Sequence, residues 1–191
     1  RRDLVTVNGY ADESSSATGP GNASAAAFFA VGAPAIWRGS SGGPWVDEAA
    51  SVGLVADGQA KSVIPFDHDG DGALDLLIGN TTSPPQLISS DLTGGGHWLG
   101  LQLHDATAPN TRAIGARVRV RKSAGRGEWI GEVRTGSGYQ SSGPGTLHIG
   151  LGESDELDEV EVRWPDSDSF ERYDVESVDT TIIIERDSGA G

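Results

Sequence analysis

The stretch ARVRV at residues 116–120 alternates apolar and basic side chains with a period of two. Such alternation is typical of a strand with one buried face and one solvated face. Five further stretches have strand character and are separated by glycine-rich or Asp/Pro-rich turns: 98–103, 128–134, 146–149, 159–164 and 180–185. Short strands with regular turn signals predict an all-β fold whose C-terminal domain is an antiparallel sandwich or barrel.

The chain upstream of these strands divides into two further parts. Residues 35–93 contain two predicted strands around a polar loop, which is the pattern of a single propeller-blade-like hairpin. Residues 1–34 combine a strand-like arm, LVTV at residues 4–7, with a connector rich in Ser, Ala and Gly that we expect to be flexible. The predicted domains are therefore 1–34, 35–93 and 94–191.

The overall charge excludes two classes of partner. The 191 residues include 14 Lys plus Arg and 28 Asp plus Glu, which gives a formal net charge of -14. A nucleic-acid groove binder needs a basic face, and docking on an anionic membrane surface needs positive charge. No stretch approaches the roughly 18 consecutive apolar residues of a membrane span. We therefore expect no nucleic-acid partner and no membrane insertion.

The absence of cysteine excludes disulfides and thiolate metal sites.

The strongest chemical signal is the acidic loop, DHDGDGALD at residues 67–75. Carboxylates at alternate positions can curl around one Ca²⁺ ion, which takes about six to eight oxygen ligands. Ile78 stands where an EF-hand has its bidentate glutamate, and both flanks look like strands, so the pattern indicates a structural Ca²⁺ site between strands. The alternative to a Ca²⁺ site is a solvated acidic turn. The predicted ligands are the side chains of Asp67, Asp69, Asp71 and Asp75 and the carbonyl oxygen of Ala73.

The acidic loop resembles the calcium loop of FG-GAP/VCBS repeats, the blades of integrin-type propellers. Four downstream stretches resemble the ASPIC/UnbV domain that follows those repeats in cartilage-acidic-protein-like chains: NTRAIGARV at 110–118, GSGYQSS at 136–142, LHIGLG at 147–152 and VEVRWP at 160–165. The resemblance covers about residues 35–186. It implies bound Ca²⁺ and a secreted or surface-exposed location.

A single calcium loop does not make a propeller, which takes about four to eight blades. A lone blade leaves sheet edges with unpaired backbone groups, and such edges pair with other chains. We therefore expect self-association in which the N-terminal strand of one copy adds to the sheet of a neighbour. Head-to-tail exchange of this kind can build filaments.

Two further observations fit an exported protein. The sequence contains no methionine even at position 1, so we expect Arg1 to follow a removed export signal. The sequons at residues 22–24 and 80–82 make Asn22 and Asn80 candidate glycosylation sites. The expected localisation is extracellular or at the cell surface.

The predicted function is that of a non-enzymatic, exported, calcium-binding protein for extracellular or cell-surface assembly or adhesion. GSSGG at residues 39–43 has the spacing of a hydrolase nucleophile elbow, but it lacks the strand–turn–helix context that this motif needs. The alternative is a stand-alone carbohydrate- or protein-binding module, because the five tryptophans could stack on sugar rings; their apolar neighbours favour core packing instead. A glycan or a surface protein is the partner expected in that case.

Overall fold

The computed structural model describes residues 3–7, 34–39, 43–55, 59–81, 83–90, 96–125 and 127–186. Within these residues the regular elements are strands and one short 3₁₀ turn, Ser123–Gly125, which confirms the all-β prediction. The strands are β1 (Leu4–Thr6), β2 (Ala35–Arg38), β3 (Val46–Asp47), β4 (Ala60–Phe66), β5 (Asp75–Asn80), β6 (Gln86–Ile88), β7 (His97–Asp105), β8 (Arg117–Lys122), β9 (Glu128–Glu132), β10 (Leu147–Gly152), β11 (Leu157–Arg163), β12 (Glu171–Tyr173) and β13 (Thr180–Arg186).

The chain divides into two compact units. The first comprises Arg1–Pro65, Asp75–Ser89 and Gly138–Ser141, and the second comprises Phe66–Leu74, Ser90–Ser137 and Ser142–Gly191. The division assigns most of the acidic loop to the unit that contains the C-terminal strands. The domain boundaries at 34 and 93 that the sequence suggests stay predictions.

The first unit contains two three-stranded sheets, with strand orders β1-β2-β3 and β4-β5-β6. The N-terminal strand β1 pairs antiparallel with β2 of its own chain, and Leu4 lies opposite Trp37. Among its described residues, the buried hydrophobic cluster of this unit consists of Ala49, Leu54, Ala60, Leu76 and Ile78. Partly buried side chains such as Val5, Ile36 and Ile88 pack against it.

The second unit contains a three-stranded sheet, β10-β7-β13, and a four-stranded sheet, β12-β11-β8-β9. Alternate side chains from both sheets form one large buried cluster, as expected for a sandwich. Leu99 and Leu101 of β7, and Val118 and Val120 of β8, are fully buried within this cluster. The alternation at residues 116–120 therefore predicts the buried face of β8 correctly.

The outward face of the four-stranded sheet carries the basic half of that alternation. Arg119 stacks its guanidinium over the ring of Phe170, 3.8 Å from the centroid. Arg121 forms ion pairs with Glu159 of β11 and Glu128 of β9. Opposite charges on neighbouring strands thus cover the solvent face of this sheet.

One strand pair departs from the predicted antiparallel arrangement. β13 pairs with β7 in parallel, from Thr180 opposite Leu99 to Arg186 opposite Asp105. Parallel neighbours need a long crossover connection, and the chain from β8 to β12 supplies it here: it builds the four-stranded sheet and adds β10 to the other side of β7. A period-two pattern is the same in parallel and antiparallel strands, so the sequence gives no sign of the direction of this pair.

Some predictions fall outside the described residues. They concern the connector from residue 8 onward, the candidate glycosylation site Asn22 and residues 40–42 of the GSSGG stretch. Across the part of the chain that the structure describes, no helix is long and apolar enough to span a membrane.

Candidate metal centre

The acidic loop connects β4 to β5, and its aspartates shape its own backbone. Asp67 accepts hydrogen bonds from two amides: its Oδ1 from the N–H of Gly70 at 2.8 Å and its Oδ2 from the N–H of Gly72 at 3.0 Å. Asp69 Oδ1 accepts from the N–H of Asp71 at 3.3 Å. The side chain of an aspartate commonly closes a turn in this way, and here it makes the chain curl around its own carboxylates.

Glycine is required at the sixth position of this loop. Gly72 has a φ of +90°, a backbone conformation that residues with a Cβ rarely adopt. A Cβ built on Gly72 would also overlap the indole of Trp98. The glycine therefore allows both the sharp turn and the close approach of the loop backbone to an aromatic ring.

The curled loop brings three carboxylates together. Asp67, Asp69 and Asp71 each offer an oxygen atom, and these atoms lie within 4.8 Å of one another. Asp69 and Asp71 are exposed and Asp67 is half-buried. Like charges at this separation repel each other, and a divalent cation among them would remove that repulsion.

The donor set fits a hard divalent cation. Carboxylate oxygens are the ligands that Ca²⁺ prefers, and backbone carbonyls or waters complete its coordination in flexible loops. Of the other predicted ligands, Ala73 is buried and donates its N–H to Asp71 Oδ1 at 2.7 Å. Asp75 is the first residue of β5, and its side chain is also buried. The side chains of Asp67, Asp69 and Asp71 are thus brought together. The roles of all five residues as ligands stay predictions.

A pair of stacked aromatic rings from the C-terminal strands holds the acidic loop. Trp98 of β7 and His148 of β10 stack with an interplanar angle of 2° and centroids 5.6 Å apart. His148 Nε2 lies 2.9 Å from the carbonyl oxygen of Gly72. A carbonyl oxygen only accepts, so this hydrogen bond places a proton on Nε2.

The backbone of Trp98 is itself held by Asp179. The Trp98 N–H donates to Asp179 Oδ1 at 3.0 Å, and the Asp179 N–H donates to the Trp98 carbonyl at 2.7 Å. Asp179 Oδ2 lies 2.7 Å from His97 Nδ1, and this hydrogen bond, together with that from Trp98 N–H, keeps the pKa of the Asp179 carboxyl below its ordinary value of 3.8.

Reasoning from sequence treats Trp98 and His148 only as packed or surface side chains and misses their role at the loop. A signal for it is nevertheless present, because both residues are followed two positions later by a glycine, Gly100 and Gly150. The register places Trp98 opposite Gly150 and His148 opposite Gly100. The glycines thus mark the positions opposite the two rings; a Cβ on Gly100 would overlap the side chain of Thr181, and one on Gly150 would meet nothing within 4 Å.

The stretch NTRAIGARV builds a turn. The side-chain amide of Asn110 donates to the carbonyl of Ile114 at 2.9 Å and accepts from the Ile114 N–H at 3.1 Å. Ala113, within that turn, is fully buried and has a positive φ of 49°. These residues therefore shape the entry into β8.

The candidate glycosylation site Asn80 is half-buried at the end of β5. Its Nδ2, the atom that would carry a glycan, donates to the carbonyl of Pro84 at 3.1 Å. Glycosylation of Asn80 would need this hydrogen bond to break, and it stays a prediction.

The sequence of the C-terminal part of the chain matches a known family of domains. Residues 106–190 match the family model described as ASPIC and UnbV. The ASPIC/UnbV part of the predicted resemblance is thereby confirmed. Strand β7 precedes the matched residues and still forms the centre of the three-stranded sheet, so the structural unit begins earlier than the family match.

The chain is also similar to cartilage acidic protein 1. It is 32% identical over 145 residues to the protein from Homo sapiens, and equally to that from Mus musculus, covering 72% of this chain and 21% of each relative. The protein from Xenopus tropicalis is 34% identical over 119 residues, covering 61% of this chain and 18% of the relative. The chain thus spans about a fifth of the length of these relatives. The FG-GAP/VCBS resemblance of residues 35–93 stays a prediction.

Proposed function

We propose that this chain is a non-enzymatic, calcium-binding β protein that serves assembly or adhesion outside the cell or at its surface. The observation that carries the proposal is the group of three carboxylates of Asp67, Asp69 and Asp71, whose oxygens lie within 4.8 Å of one another. The similarity to cartilage acidic protein 1, whose name places that protein in cartilage, supports the location.

The role of the ion is structural in this proposal. A cation held by the acidic loop binds the folded chain and not the unfolded one, so it adds to the free energy of unfolding. Calcium at about a hundred times its dissociation constant would add about 2.7 kcal/mol.

The direct test is isothermal titration of the chelator-treated chain with Ca²⁺, followed by thermal unfolding with Ca²⁺ and with EGTA. We expect binding and a higher unfolding temperature with Ca²⁺.

Asp71→Asn should weaken binding on the order of tenfold or more, because the site loses a charged ligand. Asp155→Asn, at an exposed acidic turn outside the loop, is the matched control and should bind as the wild type does. An unfolding temperature that ignores EGTA would contradict the proposal, and equal preference for Mg²⁺ would contradict its choice of ion.

Assembly is the second part of the proposal. In this structure β1 is an edge strand paired with β2 of its own chain. The same antiparallel pairing can form between copies when β1 of one chain takes the place of β1 on its neighbour, which is a strand exchange. Light scattering of the full chain and of a variant lacking residues 1–12 tests this. We expect the full chain to form larger particles, and identical masses would contradict the exchange.

A carbohydrate-binding module is the second candidate, and two exposed tryptophans favour it. Trp37 in β2 is 36% exposed, and Trp45 just before β3 is 51% exposed. Indole faces available to solvent can stack on sugar rings. A glycan array probed with the wild type and with Trp45→Ala separates this candidate from the first, because only the sugar-binding protein gives signals that the substitution removes.

A further inference from the structure

The acidic loop rests on the outward face of the β10-β7-β13 sheet. Leu99 and Leu101 of β7 point into the buried cluster, so the alternating positions of Trp98 and Gly100 place these residues on the opposite face. Trp98 stacks on His148 on that face, and the backbone of Gly72 lies against the indole. The loop that carries the carboxylates therefore packs directly on side chains of the C-terminal sandwich.

One peptide group connects His148 to a predicted metal ligand. The carbonyl of Gly72 and the N–H of Ala73 belong to the same planar peptide unit. His148 Nε2 donates to that carbonyl at 2.9 Å, and the Ala73 N–H donates to Asp71 Oδ1 at 2.7 Å. Hydrogen bonds in series polarise one another, so the histidine strengthens the bond that orients the Asp71 carboxylate.

The imidazole is held in position to make this bond. It lies flat on the indole of Trp98, whose backbone is fixed in turn by two hydrogen bonds to Asp179. Groups that hold a metal ligand in place without touching the ion commonly change affinity by about 10–100-fold when they are removed.

We propose that His148 is a positioning residue for calcium in the acidic loop, and that the affinity of the loop for the ion is therefore linked to the folded C-terminal sandwich. This proposal rests on the proposed calcium binding and names a residue on which the affinity for Ca²⁺ depends. Linkage is reciprocal, so a bound ion stabilises the C-terminal strands as much as those strands strengthen binding.

The test compares three variants of the full chain by isothermal titration with Ca²⁺. His148→Ala should lower the affinity by about 10–100-fold, because Gly72 loses its donor. His148→Gln, which keeps an N–H donor on the side chain, should recover much of that loss. His104→Ala is the matched control, since His104 is exposed on the same strand as Trp98, and it should leave the affinity unchanged.

Unfolding in EGTA shows whether each variant folds without the ion. His148→Ala should retain a cooperative transition there and gain less in unfolding temperature from added Ca²⁺ than the wild type gains. If His148→Ala does not fold, His148→Gln alone decides: it should bind Ca²⁺ measurably more weakly than the wild type and more tightly than Asp71→Asn.

A second measurement uses Tb³⁺, which occupies calcium sites and emits when a nearby indole is excited. Trp98 is the indole against Gly72, so Trp98→Phe should remove most of the sensitised emission, and Trp45→Phe should not.

The outcomes separate the two proposals. No binding of Ca²⁺ to the wild type would overturn the calcium-binding function and this inference together. Binding to the wild type with equal affinity in His148→Ala, or in His148→Gln where that variant decides, would overturn the positioning role alone.

Discussion

Among the residues that the structure describes, the two units bury hydrophobic clusters of very different size. The second unit buries fourteen hydrophobic residues in one cluster, among them Trp164 and several leucines and valines from two facing sheets. The described cluster of the first unit has five buried members, two of which are alanines. Because apolar burial stabilises a fold roughly in proportion to the area removed from water, the described cluster of the second unit contributes more free energy of folding than the described cluster of the first.

The difference indicates how each unit is stabilised. In the second unit, the described cluster joins two facing sheets, so packing between them is a main source of stability. In the first unit, the described cluster is bordered by partly buried side chains, so removal of one buried side chain should leave less of a cavity.

The largest expected effect tests this comparison directly. Leu101→Ala in the second unit should cost about 3–5 kcal/mol, because Leu101 is fully buried among side chains that cannot close the cavity. Ile78→Ala in the first unit should cost less, about 2–3 kcal/mol, because its partly buried neighbours can relax into the space.

Hydrogen exchange of the strand amides measures both losses, since it reports the free energy of opening for each unit separately. Ile183→Ala is the control: its side chain is 60% exposed on β13, and the exchange rates should hardly change. A larger loss at Ile78 than at Leu101 would reverse the comparison.

A smaller effect comes from the buried ion pair at the edge of the larger core. Arg186 donates to Asp105 Oδ2 at 3.0 Å, and Asp105 is 2% exposed. Burial raises the pKa of Asp105. Hydrogen bonds from the Thr107 hydroxyl and N–H, together with the hydrogen bond and charge of Arg186, lower it by more, so the pKa lies below its ordinary value of 3.8. The folded state therefore favours the ionised carboxylate.

Asp105→Asn should lower stability at neutral pH by about 1.5–3 kcal/mol, the usual contribution of a hydrogen bond to a charged group. Because the folded-state pKa is depressed, this contribution is complete above about pH 4 and disappears as the pH falls towards the folded-state pKa. Urea denaturation of both proteins between neutral and acidic pH measures it. A difference that stays constant down to acidic pH would show that the charge of Asp105 contributes nothing.

The strands of the larger core were the most predictable part of the fold. Residues 116–120 and 98–103 show their period of two locally, and the structure places β8 and β7 there. The three-residue strands β6 and β12 were not predicted, because three residues are too few to show a period. The parallel pairing of β13 with β7 was missed because pairing depends on residues far apart in sequence.

The acidic loop also has one part that the sequence predicts and one part that it does not. Alternate carboxylates and Gly72 lie within nine residues, so their spacing alone suggests the group formed by Asp67, Asp69 and Asp71. The hydrogen bond from His148 to Gly72 joins residues 76 positions apart. Such a contact follows from sheet register, which a single sequence does not fix.

The smallest expected effect lies on the solvent face of the larger sandwich. Arg121, half-exposed on β8, pairs with Glu159, Glu128 and Glu161. Exposed ion pairs of this kind contribute about 0.2–1 kcal/mol, because water and salt screen the charges. Arg121→Gln keeps part of the aliphatic stem and should therefore cost less than about 1 kcal/mol, well below the loss at Leu101.

The cost of Arg121→Gln should shrink further in roughly 1 M salt, where the screening length is about 3 Å. Urea denaturation at low and high salt measures both values, with the more exposed Arg134→Gln as the control. A loss comparable to that of Leu101→Ala would mean that the charged face, and not only the buried cluster, holds the two sheets of this unit together.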